Sequence, residues 1–122
     1  MSACMIISAL LLAQAGPAIS SEGVYEQREA AFEELTTGEN ANAIARLQAA
    51  LEQTPGDPAL LINLGTAYSR EGRFDEAREA FRGAMESEDR YRVQLADGSW
   101  EDSRRVARLA LDSLDRTAFA SR

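Results

Sequence analysis

The chain has 122 residues, 45% of them hydrophobic, a length and composition suited to one small domain with a packed core. Its formal charge is −7 and its pI is near 4.6, so a phosphate backbone would be repelled and nucleic acid is a poor partner. There is no His and a single Cys, Cys4, which removes the common nucleophile–base pairs and transition-metal ligand sets.

Residues 1–21 carry no charged side chain. Residues 5–13 form an apolar run of the length of a secretory h-region, and Ala-Gln-Ala at 13–15 supplies the small-x-small pattern that signal peptidase requires. Gly16-Pro17 interrupts the run before it reaches the roughly 20 apolar residues of a spanning helix. The expectation is a cleaved signal peptide over 1–21, with a retained anchor and a buried helix as the alternatives. Cys4 precedes the run and would leave with it, so the mature chain would hold no disulfide. All basic residues are Arg, which fits a GC-rich bacterial coding sequence. The periplasm, or another part of the bacterial envelope, is the expected compartment. No membrane contact is expected after cleavage, and peripheral association is expected if the leader stays.

Past the leader, an apolar-poor helix is expected over the twenties and thirties, with Val24, Tyr25, Phe32 and Leu35 supplying its packing. Three later segments then align on their glycines without gaps: from Gly38, from Gly72 and from Gly98. Five residues on from each stand Ala43, Ala77 and Ser103; then come Leu47, Phe81 and Ala107; then Ala50, Ala84 and Ala110. The first two glycines are 34 residues apart (72 − 38) and the second pair 26 (98 − 72), and a period of about 34 marks a stacked array of helical hairpins. Asp57-Pro58 suits a capped helix start, and Gly72 a left-handed helix stop. Between the second and third units, Tyr91, Val93 and Leu95 alternate with polar residues, so an extended linker is expected, followed by a turn at Asp97-Gly98. A last helix is expected from Trp100 to about Phe119, with Trp100, Ser103, Ala107, Ala110 and Leu114 as its inward stripe.

Leu61-x-x-Leu64-Gly65-x-x-Tyr68, followed by Ala77-x-x-x-Phe81 and Ala84, resembles the tetratricopeptide repeat pattern, most closely over residues 57–85. The resemblance implies an all-α fold, a short α-solenoid of antiparallel helical hairpins. It divides the chain into a first unit at 24–57, a second at 58–91, and a partial third unit with a capping helix at 92–119, leaving a tail at 120–122. Gly65 and Ala77 are expected where the two helices of one hairpin cross, so enlarging either side chain should overpack the crossing, whereas Ser87 should tolerate a larger residue.

The resemblance also implies a concave groove lined by the first helix of each hairpin and suited to segments of other proteins. Its positions fall on Ala59, Ile62, Asn63, Thr66, Ser69 and Arg70 of the second unit, and on Tyr25, Arg28, Glu29 and Phe32 of the first. Asn63 stands where peptide-binding members hydrogen-bond the ligand backbone. The basic clamp for C-terminal carboxylates is not reproduced, because Phe32 stands where an Asn is needed. Arg104, Arg105 and Arg108 form a secondary basic patch, which also reads as a solvated face in which Glu101 pairs with Arg105 and Asp112 with Arg108. No catalytic residues, metal or cofactor are expected. The function implied is an exported interaction module, scaffold or adaptor for a protein partner, the alternative being a self-associating structural component.

Overall fold

In the sequence Gly56-Asp57-Pro58, chain reversal, cap and helix start follow in order. Asp57 Oδ1 accepts from the backbone N–H of Ala59 (3.0 Å) and Leu60 (3.2 Å), satisfying two of the donors a helix start leaves unpaired, and Pro58 needs no such partner. In this computed structural model, which describes residues 33–95 and 97–120, four long helices are seen, and the one so begun is the second. They are α1 (Asn40–Gln53), α2 (Pro58–Arg70), α3 (Phe74–Glu86) and α4 (Ser103–Ala120). A helical turn at residues 33–36 precedes α1, and two short strands, β1 (Arg92–Gln94) and β2 (Trp100–Asp102), lie between α3 and α4. The described chain is an all-α stack of antiparallel helices with one small hairpin inserted.

The aligned glycines are turn residues with φ of +81°, +75° and +87° at Gly38, Gly72 and Gly98. The first two build the same stop. Arg73 N–H donates to Tyr68 C=O (2.9 Å) and Gly72 N–H to Ser69 C=O (3.1 Å), while Glu39 N–H donates to Glu34 C=O (2.8 Å) and Gly38 N–H to Leu35 C=O (3.3 Å). Each pair is a Schellman cap, which needs a left-handed residue at its centre. A repeated glycine in the sequence is thus a repeated backbone reversal.

One core runs through the stack, from Leu35 through Ala43, Leu47, Leu60, Leu64, Ala67, Tyr68, Ala77 and Phe81 to Leu114. At the α2–α3 crossing a Cβ on Gly65 would lie 2.5 Å from the Phe81 ring, so the small residue is what lets the helices approach. Ala77 is fully buried on the facing helix.

The last third of the chain departs from the sequence reading in four ways. First, the expected linker is a β-hairpin: Arg92, Val93 and Gln94 pair antiparallel with Asp102, Glu101 and Trp100. The reversal at Gly98 is braced by Asp97 Oδ1, which accepts from Ser99 N–H (2.9 Å) and Ser99 Oγ–H (2.6 Å). Second, Trp100 belongs to β2, not to the last helix, and is 54% exposed, so it is no part of an inward stripe. That helix starts at Ser103 because Asp102 Oδ1 accepts from Arg104 N–H (2.8 Å) and caps it there. Its buried residues are Ser103, Ala107, Leu114 and Ala118, with Ala110 and Leu111 packed on the core beside them.

Third, the glycine alignment matches α4 to the second helix of a hairpin, yet α4 packs on α3 and also on α2. A helix that touches both helices of the preceding hairpin occupies the place of the first helix of the next. In that register Ala107, Leu111 and Leu114 of α4 correspond to Leu60, Leu64 and Ala67 of α2. The residues with which α2 meets its partner helix, Leu61 and Gly65, are replaced by Arg108 and Asp112. A charged face there offers nothing for a further helix to bury, so α4 closes the stack.

Fourth, Ser87 is buried, and its hydroxyl donates to Gly56 C=O while accepting from Asp89 N–H (3.1 Å). A bulky residue there would remove the hub that ties the end of α3 to the turn before α2.

Candidate functional site: the concave face of α2 and α4

The surroundings of α2 define which sector of it is open. Gly65 faces Phe81 of α3, Leu61 lies against Gly83 of α3, Tyr68 OH accepts from Gln48 Nε2 of α1 (2.8 Å), and Leu60, Leu64 and Ala67 are buried. Ala59, Ile62 and Thr66 recur at helical spacing on the remaining sector and are half-buried, with Asn63 and Ser69 flanking them. Ile62 packs its inner side on the core.

Among the other groove positions expected from the sequence, Arg70 is exposed and donates from Nη1 to Leu35 C=O, which ties the end of α2 to the preceding helical turn. Asn63 makes no side-chain hydrogen bond among the described residues, so its amide retains its donors and acceptor. Thr66 Oγ1 donates to Ile62 C=O (2.9 Å) within its own helix. Tyr25, Arg28, Glu29 and Phe32 lie outside the described residues.

Beside α2 lies α4, to which the glycine alignment does not assign the place of a first helix. Asp115 pairs with Arg78 of α3 (2.9 Å), and Arg104 donates to Ser87 C=O at the end of α3 (3.1 Å), so that side of α4 faces α3. The opposite flank of the buried stripe carries Val106, Ala110 and Ser113, the first two half-buried and the last exposed. Leu109, 55% exposed, stands in the register of Ile62. Matching α4 to the other segments by their glycines hides this correspondence; aligning Ala107, Leu111 and Leu114 with the core residues of α2 reveals it.

The three arginines of the basic patch do not act as one. Arg104 is half-buried and bonded to Ser87, and Arg105 pairs with Glu101 (3.7 Å). Arg108 is exposed and forms no ion pair with Asp112. At the start of α4, the Arg90 guanidinium, with the N–H groups of Arg104 and Arg105, holds the Asp102 carboxyl below the usual carboxylate range. This is the chemistry of a helix cap.

Among the described residues no group of His, Cys, Asp or Glu is placed to hold a metal ion, and no helix is long and apolar enough to cross a membrane. Repeated Schellman stops, a small residue at the helix crossing and a solenoid order of packing mark one kind of array, and a family model described as tetratricopeptide repeat matches residues 34–97, more than half of the chain. The chain belongs to the tetratricopeptide repeat family. Comparison with curated proteins and with solved structures gave no match. Tetratricopeptide repeats are non-catalytic modules that mediate protein–protein interaction, and in this chain α2 and α4 stand in the places of successive first helices.

Proposed function

We propose that this tetratricopeptide repeat chain is an exported interaction module of the bacterial envelope that holds a segment of a partner protein in the groove between α2 and α4, and that it has no catalytic activity of its own. The observation that carries the reading is Asn63: a half-buried amide with no partner among the described residues, beside the half-buried Ile62. Export is supported by the uncharged run at 5–13 and the Ala-Gln-Ala pattern at 13–15. The charged face of Arg108 and Asp112 weighs against the alternative of end-to-end self-assembly through α4.

Partner retention from envelope extract tests the groove. Asn63→Ala removes one hydrogen-bonding amide and should weaken retention roughly 2- to 13-fold. Ile62→Asp should do more, because it puts a charge on an apolar floor. Arg105→Glu lies away from the floor and is the contrast. Loss of retention in Arg105→Glu alone, with the fold intact by circular dichroism, would move the site to the end helix. N-terminal sequencing tests export: a start near Gly16 or Ser21 is expected, and intact Met1 in a cytoplasmic fraction would refute it.

A further inference from the structure

β1 and β2 form a sheet of two strands, so each has an outer edge, and the two edges differ. Ser103 N–H donates to Tyr91 C=O (2.9 Å) and Leu95 N–H to Ser99 C=O (2.8 Å). In the antiparallel register that sets Arg92 beside Asp102, the backbone groups of Tyr91, Val93 and Leu95 turn toward β2, and those of Arg92 and Gln94 turn away from it. The outer edge of β2 is largely taken. Trp100 C=O accepts from Arg92 Nη2 (3.1 Å), Asp102 N–H donates to Glu101 Oε1 (3.1 Å), and the strand runs straight into α4. The backbone N–H and C=O of Arg92 and Gln94 have no partner among the described residues, and both residues are exposed. Such an edge is a template for a further strand.

We propose that a second copy of this chain pairs there, β1 against β1, antiparallel about a two-fold axis at Val93, making one sheet of four strands. The residues of the edge select both that occupant and that register. Arg92 of each copy then lies opposite Gln94 of the other and exchanges both backbone hydrogen bonds with it, so all four open groups of each copy are satisfied. On the other face Tyr91 meets the exposed Leu95 of the second copy, and Val93 meets Val93. An axis at residue 92 would set two guanidiniums opposite each other, and one at residue 94 would pair only Gln94 within the strand. Residues 90–95 include two arginines and no acid, so the paired segments do not share the negative charge of the whole chain. An unrelated strand would find the same backbone groups without these side-chain matches. The proposal does not depend on the groove reading.

Sedimentation equilibrium of the full chain tests it, in salt of about 0.15 M to screen the repulsion between two chains of net charge −7. A dimer with a dissociation constant on the order of 0.1–1 mM is expected from so small an interface. Gln94→Pro removes an outward donor that β2 does not use, so the hairpin stands while dimerisation should weaken about tenfold or more. Gln94→Arg sets two arginines opposite each other and should weaken it about fivefold, whereas Gln94→Glu, opposite Arg92 of the second copy, should tighten it about twofold. Circular dichroism verifies the fold of each variant. In the parent, amide exchange at Arg92 and Gln94 should slow as the concentration rises. A chain still monomeric at about 1 mM, self-association that Gln94→Pro leaves intact, or equal effects of Gln94→Arg and Gln94→Glu would overturn the proposal. So would protection of those two amides that appears only when a different protein is added, which would give the edge to that protein.

Discussion

The Phe81 ring occupies the position that a side chain on Gly65 would enter, with ring carbons 2.5 to 2.8 Å from where its Cβ would lie. Phe81 is buried, and its helix is fixed along the same crossing by Ala77 and Ala84, so the ring has little room to withdraw. The contact sets how closely α2 and α3 pack. Gly65→Ala should therefore destabilise the chain by about 1–3 kcal/mol, and Gly65→Leu by at least as much. Gly83→Ala is the control, because its Cβ would meet only a Leu61 methyl at 3.4 Å. Thermal melts should separate the first two variants from the third; three equal melting temperatures would refute the crossing.

Ser87 gives a second prediction, opposite to the expectation of tolerance. Its hydroxyl serves Gly56 C=O and Asp89 N–H, and its carbonyl receives Arg104. Ser87→Ala should cost about 1–3 kcal/mol by leaving the half-buried Gly56 carbonyl short of a donor, and Ser87→Leu should cost more. Chemical denaturation measures both, and a Ser87→Leu variant as stable as the parent would contradict the hub.

Tyr91 OH donates to Asp57 Oδ1, the oxygen that also caps α2, so the hairpin is fastened to the start of that helix. Tyr91→Phe should lower stability by about 1.5–3 kcal/mol, the range for a hydrogen bond to a charged group. Amide exchange should show faster opening at the start of α2 and at β1, with the centre of α3 following only the global change.

The pH dependence follows from Asp102. Its folded pKa lies below its unfolded value, so its contribution is fully present above the unfolded value of about 4 and is lost as pH falls through the folded one. Asp102→Asn, which keeps a capping oxygen but no charge, should flatten the acid limb of the stability curve relative to the parent in that window and leave the slope near neutral pH unchanged. Parallel acid limbs would show that other carboxylates set them.

A last prediction concerns the end of the array. Arg108→Leu and Asp112→Gly together restore on α4 the residues with which α2 meets α3. The double variant should self-associate, with size-exclusion elution that depends on concentration. Elution unchanged from the parent would mean that these charges are not what closes the stack.

The hairpin of α2 and α3 is legible in the sequence because its determinants are local. Asp57-Pro58 starts a helix and Gly72 ends it through bonds spanning a few residues, and the spacing of Leu61, Leu64, Gly65 and Tyr68 states which face is buried. The groove positions proposed on α2 are implied by the resemblance to the repeat family. What tertiary structure decided was everything that depends on a partner distant in sequence. Ser87 looks like a surface serine until Gly56 is brought against it from 31 residues away. Arg104 looks like part of a basic face until Ser87 C=O takes its guanidinium. Glycines alone put α4 in the wrong register because they mark turns, and a turn glycine stands before either helix of a hairpin; which helix follows is settled by what it packs against. Val106 and Leu109 come into the register of Ala59 and Ile62 only once α4 lies beside α2, since one amphipathic pattern serves a first or a second helix equally well.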